Sequence, residues 1–270
     1  MKRIKQILSK NKNIKNNNKE YSKVHLVFSV VYLVQLVILV ILGGKSWIPI
    51  TTNYLAYDSL LSSGGQVVHT AGTSRLFDLN IAWVLILMLC VSVISHILFA
   101  TTYKNRYLAE LKSGGQITNW VLYGVISSFV ILVLALLSGV FDLSSLILIV
   151  SVNLFASAFG IISYSQTKGG KELHWFTQLN AIKASLLPWI IILIYIWGTF
   201  VYGGNSINAY VYWLYLSVIF MQGCYMYVLN KTNKKQGKFK EIFYSTKILF
   251  AILLVMQALV VWQVFLSALK

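Results

Sequence analysis

Long apolar stretches alternate with short polar connections along the chain. Seven such stretches stand out, each of about 20 mostly uncharged residues, the length that an α-helix needs to cross the hydrocarbon core of a bilayer. They run over residues 24–43, 79–101, 117–139, 143–164, 179–202, 210–230 and 243–269. The pattern predicts an all-α membrane protein, a bundle of seven transmembrane helices.

Positive charge falls almost entirely on alternate connections. Of the 23 Lys and Arg residues, 20 lie in the N-terminal segment or near the second–third, fourth–fifth and sixth–seventh connections. Lys45, Arg75 and Lys270 are the exceptions. Because Lys and Arg are enriched in cytoplasmic loops, we expect a multi-pass protein of the cell membrane with its N-terminus in the cytoplasm and its C-terminus outside.

The same pattern divides the chain into two parts. Residues 1–23 form a basic cytoplasmic tail, and residues 24–269 form the transmembrane domain, in which 44–78 is an extracellular loop. That loop contains two short β-prone pieces, at 47–50 and 66–69, so both a small β-hairpin and an irregular loop are open interpretations. The position of the tail beside a membrane entry favours contact with anionic lipid over nucleic-acid binding.

Ionisable residues are scarce at bilayer depth. His96 is the one that lies well inside a span, and no Asp or Glu occupies the middle of a helix. Proton pumps and most cation-coupled transporters need such carboxylates, so these classes are disfavoured. A Ser–His pair of His96 with Ser92 or Ser95 has no orienting acid, and we therefore expect no enzyme activity and no metal site. Cys90 and Cys224 lie inside spans and are expected to be free thiols.

Uncharged polar residues recur in several spans, and hydrogen bonding between helices is their simplest interpretation. Trp262 lies deep enough in the seventh span either to pack in the bundle or to line a pocket, and packing is favoured. The polar residues are Ser127, Ser128, Asn153, Gln222, Gln257 and Gln263.

A set of short motifs resembles one family in order, spacing and topology. In chain order they are His25-Leu26, His96, Arg106-Tyr107, Trp120-Val121-Leu122-Tyr123, Ser127-Ser128, Asn153, Phe159-Gly160, Pro188-Trp189 and Trp262-Gln263-Val264-Phe265. Together they resemble the heliorhodopsins, seven-helix retinal-binding proteins with the inverted orientation that the charge pattern predicts. The resemblance implies a homodimer.

The resemblance fails at two chemically important positions. Heliorhodopsins attach retinal as a Schiff base to a lysine five residues before the Trp-Gln pair, where this chain has Gln257. The amide nitrogen of Gln257 is not nucleophilic and cannot condense with an aldehyde. The family's counterion, a glutamate two residues after the helix-three tryptophan, corresponds to Leu122. Loss of the lysine makes a buried carboxylate unfavourable, so the two changes are physically consistent.

The sequence therefore favours a non-pumping sensory or regulatory membrane protein without covalently bound retinal. It would act through its cytoplasmic face on a protein partner that the sequence does not identify. Two alternatives stay open: non-covalent binding of retinal or another apolar ligand, and small-molecule transport. The candidate pocket or polar remnant comprises His25, His96, Tyr123, Ser127, Asn153 and Trp262.

Overall fold

The computed structural model describes residues 2–58, 61–62, 67–113, 115–167, 175–203 and 209–269. Seven helices in these ranges are long and apolar enough to cross a membrane, which confirms the predicted seven-helix membrane architecture. Three lysines that were counted in the charge pattern lie outside the described residues, namely Lys168, Lys171 and Lys270. Gln66, the first residue of the second β-prone piece, also lies outside them. The elements are α1 Lys2–Leu42, β1 Trp47–Tyr57, β2 His69–Asn80, α2 Ile81–Ala100, α3 Lys104–Lys112, α4 Ile117–Leu137, α5 Leu143–Thr167, α6 Trp175–Tyr202, α7 Ala209–Asn233 and α8 Ile242–Val264.

The spanning helices pack around α4. Helix α1 contacts α2, α2 contacts α4, and α4 contacts α5, which in turn contacts α6. Helix α7 packs on α8, and α8 closes the bundle by contacting α1 and α4. In its most apolar window α4 is 72% buried, against 22% for α6, as expected for a helix that is apolar on every side. Polar side chains on α4 are consequently surrounded by other helices.

The loop between the first two spans forms an antiparallel hairpin of β1 and β2. Pairing runs from Trp47 opposite Asn80 to Tyr57 opposite His69, and it extends far beyond the two short pieces indicated by the sequence. The backbone N–H of Thr51 donates to the carbonyl oxygen of Phe141 at 2.9 Å, which ties β1 to the turn between α4 and α5. The base of the hairpin is thereby attached to the end of the bundle.

Two helical features were not anticipated. Helix α1 begins at Lys2, so the segment interpreted as a basic tail is continuous with the first span, whose membrane-crossing part begins at Glu20. The second–third connection contains the short helix α3, which buries the side chains Tyr107, Leu108 and Leu111. Helix α3 has only nine residues, and its buried side chains lie among charged ones, so it does not stand out as an apolar stretch of the sequence.

One end of the bundle gathers α3, the start of α4, the α7–α8 connection and Glu20; we call it the basic end. There the Lys247 Nζ donates to the Glu20 carboxylate at 2.5 Å, and Gln116 Nε2 donates to Asn233 Oδ1 at 3.5 Å. The hairpin lies at the opposite end. Among the described residues, the structure thus places the second–third and sixth–seventh connections together.

Candidate functional site

The two histidines singled out in the sequence are in direct contact. His25 on α1 and His96 on α2 are 0% and 1% exposed, and their Nδ1 atoms lie 2.8 Å apart. One Nδ1 must therefore donate its proton while the other accepts. Aromatic rings enclose the pair: Tyr21 lies 4.3 Å from His25, and Phe250 lies 5.0 and 5.1 Å from the two imidazoles, centroid to centroid.

Gln257 on α8 is buried and is bonded at both ends of its carboxamide. Its Nε2 donates to Tyr32 Oη on α1 at 2.9 Å. Its Oε1 accepts from Ser92 Oγ on α2 at 2.8 Å. The Ser92 hydroxyl also lies 3.1 Å from the carbonyl oxygen of Met88, so its proton is shared between two acceptors. Gln257 therefore ties three helices together; we call Gln257, Tyr32 and Ser92 the glutamine tie.

The histidine pair and the glutamine tie form one continuous cluster. The Tyr32 ring stacks on His96 with centroids 5.4 Å apart. His25 and Tyr32 are two helical turns apart on α1, and Ser92 and His96 one turn apart on α2, so each pair shares a helix face. Sequence reasoning overlooked Tyr32 and considered Ser92 only as a partner of His96. Their spacing from the histidines places both on the same helix faces as the histidines, but it does not identify Gln257 as their partner.

Ser127 and Asn153 meet at a second polar contact, between α4 and α5. Asn153 Nδ2 donates to Ser127 Oγ at 2.8 Å and to Ser128 Oγ at 3.0 Å. Close approach of the helices permits this bond, because a Cβ added to Gly124 would lie 2.7 Å from the side chain of Ser157. These contacts are hydrogen bonds between two helices, as the sequence predicted for these residues.

On α4, the third membrane-spanning helix, Leu122 and Tyr123 lie in the apolar core at 6% exposure each. The Tyr123 ring stacks on Tyr225 of α7 with centroids 4.3 Å apart and an interplanar angle of 16°. Nearer the basic end, Tyr107 bonds to Asn119, and burial raises the pKa of Tyr107 well above its usual value. Tyr107 is therefore a neutral hydrogen-bonding group at physiological pH.

Trp262 is half-buried and packs against Phe265 with ring centroids 5.9 Å apart. Within the described part of the chain its ring contact is with Phe265 and not with the histidine pair or the glutamine tie, in agreement with a packing role. Gln222 accepts a hydrogen bond from Trp189 Nε1 at 3.1 Å, and Gln263 Nε2 donates to Ser217 Oγ at 3.4 Å.

The cluster offers hydrogen-bonding groups and two imidazoles in contact. Among the described residues no group of three or more His, Cys, Asp and Glu side chains could hold a metal ion. Ser92 is bonded to Gln257 and to the carbonyl oxygen of Met88, whereas the hydrogen-bond contact of His96 is His25, so the structure does not pair Ser92 with His96. The cluster can fix helices relative to one another and can hold a proton between two imidazoles.

Seven spanning helices with a buried polar cluster between α1, α2 and α8 define a rhodopsin-like membrane bundle. The chain matches the family model described as Heliorhodopsin over residues 22–269. It therefore belongs to the heliorhodopsin family. A search of curated proteins gives no match.

Proposed function

We propose that this heliorhodopsin-family protein does not hold retinal covalently and serves as a light-independent sensory or regulatory membrane protein. Gln257 supports the proposal most directly. Formation of a Schiff base requires a free amine, whereas Gln257 offers a carboxamide whose nitrogen and oxygen are both engaged, with Tyr32 and Ser92. The residues at this position therefore do not fit a covalently bound retinal.

The nearest lysine on the same helix does not replace the missing amine. Lys247 lies ten residues from Gln257, about 15 Å along a helix, and its ammonium group is bonded to Glu20 at 2.5 Å. Leu122, at the position of the family's counterion, offers no charge to stabilise a protonated imine. The absence of both groups agrees with a protein that has lost ordinary photochemistry.

Retinal titration tests the proposal. We expect purified wild-type protein mixed with all-trans-retinal to show no red-shifted visible band, because free retinal absorbs in the near ultraviolet. The variant Gln257→Lys is expected to attach retinal but to absorb mainly in the ultraviolet, since a buried cation without a partner has a lowered pKa. Adding Leu122→Glu is expected to produce a coloured protein.

The wild-type titration also has outcomes that contradict the proposal. A visible band that hydroxylamine bleaches means that another lysine, such as Lys183 or Lys247, forms the imine. A shifted band that hydroxylamine leaves unchanged, and that denaturation releases as intact retinal, means non-covalent binding. A matched Gln257→Met variant controls for loss of the glutamine tie without introducing an amine.

Assembly and partners form a second part of the proposal. We propose that the protein is a homodimer in the cell membrane, which family membership supports. We also propose that its basic end contacts anionic lipid and a cytoplasmic protein partner, which the lysine pattern supports. Native mass analysis in mild detergent is expected to show a dimer. A monomer at every protein concentration would contradict it.

A further inference from the structure

Between α7 and α8 lies a connection of residues 234–241, of which residues 234–240 form an ordered and positively charged turn. We call it the basic turn. Four of its seven residues are exposed lysines, and none is acidic; the lysines are Lys234, Lys235, Lys238 and Lys240.

Backbone and side-chain contacts hold the basic turn in one conformation. The Gln236 N–H donates to the carbonyl oxygen of Lys231 at 3.0 Å, which closes the end of α7. A 3₁₀ helix follows over Gly237–Lys240, and Phe239 packs against the core. The Ser245 hydroxyl donates to the carbonyl oxygen of Phe239 at 3.0 Å. These contacts hold the backbone of the four lysines in place at the basic end of the bundle.

Lys235 occupies an unfavourable backbone conformation. Its φ angle is +50°, the one positive value at a non-glycine residue in the described part of the chain. Glycine adopts this left-handed conformation without the steric conflict of a Cβ, and the turn uses glycine two residues later, at Gly237 with φ +55°. A lysine at position 235 therefore supplies a charge where the backbone alone would favour glycine.

The acidic side chains at this end leave the basic turn largely uncompensated. Glu110 accepts the Thr118 N–H at 2.9 Å, and Glu20 is bonded to Lys247. Glu241 is exposed and directly follows the turn. Helix α3 adds further positive charge at the same end, from Lys104, Arg106 and Lys112.

An apolar groove begins on α7 about two helical turns before the basic turn. It lies between α7 and α8, has a volume of about 510 Å³, and is lined by residues that include Phe220, Cys224, Tyr227 and Ile252. The Lys231 ammonium, on the last turn of α7, lies 5.6 Å from the centroid of the Tyr227 ring and donates to Gln236 Oε1 of the basic turn at 2.6 Å. Lys231 therefore connects the groove to the basic turn. A Cβ added to Gly223, another lining residue, meets nothing within 4 Å, which shows that this glycine leaves the groove open.

We propose that the basic turn and the α7–α8 groove bind an anionic phospholipid, with its phosphate on the lysines and one acyl chain along the groove. A soluble phosphate would use only the first half of this site, whereas a phospholipid at the membrane surface uses both. The inference rests on the proposed role of the basic end and specifies the lipid chemistry recognised there. Regulation of the bundle by anionic lipid would act on α7 and α8 directly.

The test measures lipid binding to the full chain in mild detergent by native mass spectrometry. Dioleoylphosphatidylglycerol is expected to bind at least about tenfold more tightly than dioleoylphosphatidylcholine, because each lysine near an anionic surface contributes a several-fold gain. Replacing the four lysines is expected to abolish that preference (K234Q, K235Q, K238Q and K240Q). A charge-matched control removes four N-terminal cations and is expected to retain it (K2Q, R3Q, K5Q and K10Q).

Two further variants separate the groove from the charge. Gly223→Leu fills the groove and is expected to weaken phosphatidylglycerol binding at least about threefold through lost acyl contact, whereas Gly198→Leu, at an equally open position on α6, leaves it unchanged. Lys235→Gly is expected to keep or raise the thermal unfolding midpoint while weakening lipid binding. A purely structural role of Lys235 would change the midpoint alone.

Three results would overturn the proposal. The first is an equal loss of phosphatidylglycerol preference in the two charge variants, which indicates diffuse attraction. The others are complete competition by millimolar glycerophosphoglycerol, which indicates a soluble-phosphate site, and unchanged phosphatidylglycerol binding in Gly223→Leu. Retinal absorption measured on the same samples reports separately on the proposed function. A failed lipid test with no visible band leaves that function standing.

Discussion

At the scale of single residues, Gln257 is the side chain on which the buried cluster depends. Gln257→Met keeps the volume but removes both hydrogen bonds, and Tyr32 Oη then has no partner, whereas Ser92 keeps the Met88 carbonyl. We expect a loss of about 1 kcal/mol in unfolding free energy, typical of a hydrogen bond between membrane helices.

A double-mutant cycle isolates this interaction. Tyr32→Phe, Gln257→Met and the combination are compared by unfolding in mixed detergent. We expect a coupling of about 0.5–1.5 kcal/mol between the two positions. Additive effects would mean that the bond contributes nothing beyond packing.

The sequence identified the polar residues of the cluster but not how they pair. His25, His96 and Gln257 stand out because polar groups are rare in apolar spans. Their contacts depend on how α1, α2 and α8 are rotated about their axes, and no local pattern specifies that rotation. Tyr32 was therefore indistinguishable from the many aromatic residues that pack or lie at the membrane surface.

At the scale of elements, a small residue sets the distance between α4 and α5. Gly124→Ala places a Cβ 2.7 Å from Ser157, so the helices must separate and the Asn153 bonds to Ser127 and Ser128 must lengthen. We expect a loss of about 1–3 kcal/mol, the range for overpacking a core. Ser157→Gly should restore most of it.

Gly198→Ala serves as the control, because nothing lies within 4 Å of the added Cβ there. In a helix interior this change is expected to be neutral or stabilising, by up to about 1 kcal/mol. Equal destabilisation by the two alanine substitutions would rule out a specific role for the α4–α5 approach.

Asp142 caps the first turn of α5. Its carboxylate accepts from both the N–H and the hydroxyl of Ser145 at 2.9 Å, and the backbone bond in particular lowers the pKa of Asp142. Loss of such a cap in Asp142→Ala is expected to destabilise the protein by about 1 kcal/mol at neutral pH.

The pH dependence of this cap follows from the direction of the pKa shift. The pKa of Asp142 in the folded protein lies below the unfolded value of about 3.9. The contribution of the cap to stability is therefore fully present above that unfolded value and is lost as pH falls through the folded pKa. The difference in thermal midpoint between wild type and Asp142→Ala should therefore narrow below about pH 4. A difference that is constant from neutral to acidic pH would contradict this account.

Sequence patterns predicted long elements better than short ones. The spans were located to within a few residues because about 20 apolar positions leave few alternatives. Helix α3 was overlooked because its apolar residues fall among charges, and the register of the β-hairpin depends on a bulge between Ile50 and Thr51 that alternation alone does not reveal. The packing of Thr51 against the α4–α5 turn is a tertiary contact with no local signal.

At the scale of the whole molecule, orientation in the membrane is the main prediction that charge supports. Single cysteines are introduced by Ser74→Cys on the hairpin and Ser113→Cys at the end of α3, both exposed positions, in a background carrying Cys90→Ser and Cys224→Ser. On intact cells a membrane-impermeant maleimide should label position 74 and should reach position 113 only after lysis. The reverse pattern would contradict the predicted topology.

The glutamine tie also has a genetic consequence. A glutamine codon lies a single base change from a lysine codon, whereas every leucine codon lies at least two changes from a glutamate codon. A mutant with lysine at position 257 would therefore arise first, and it would place an ammonium group between Tyr32 and Ser92 while position 122 is still a leucine without a carboxylate. Under the proposed function, that intermediate loses the tie before it gains a working pigment, so acquiring photochemistry would require passing through a destabilised variant.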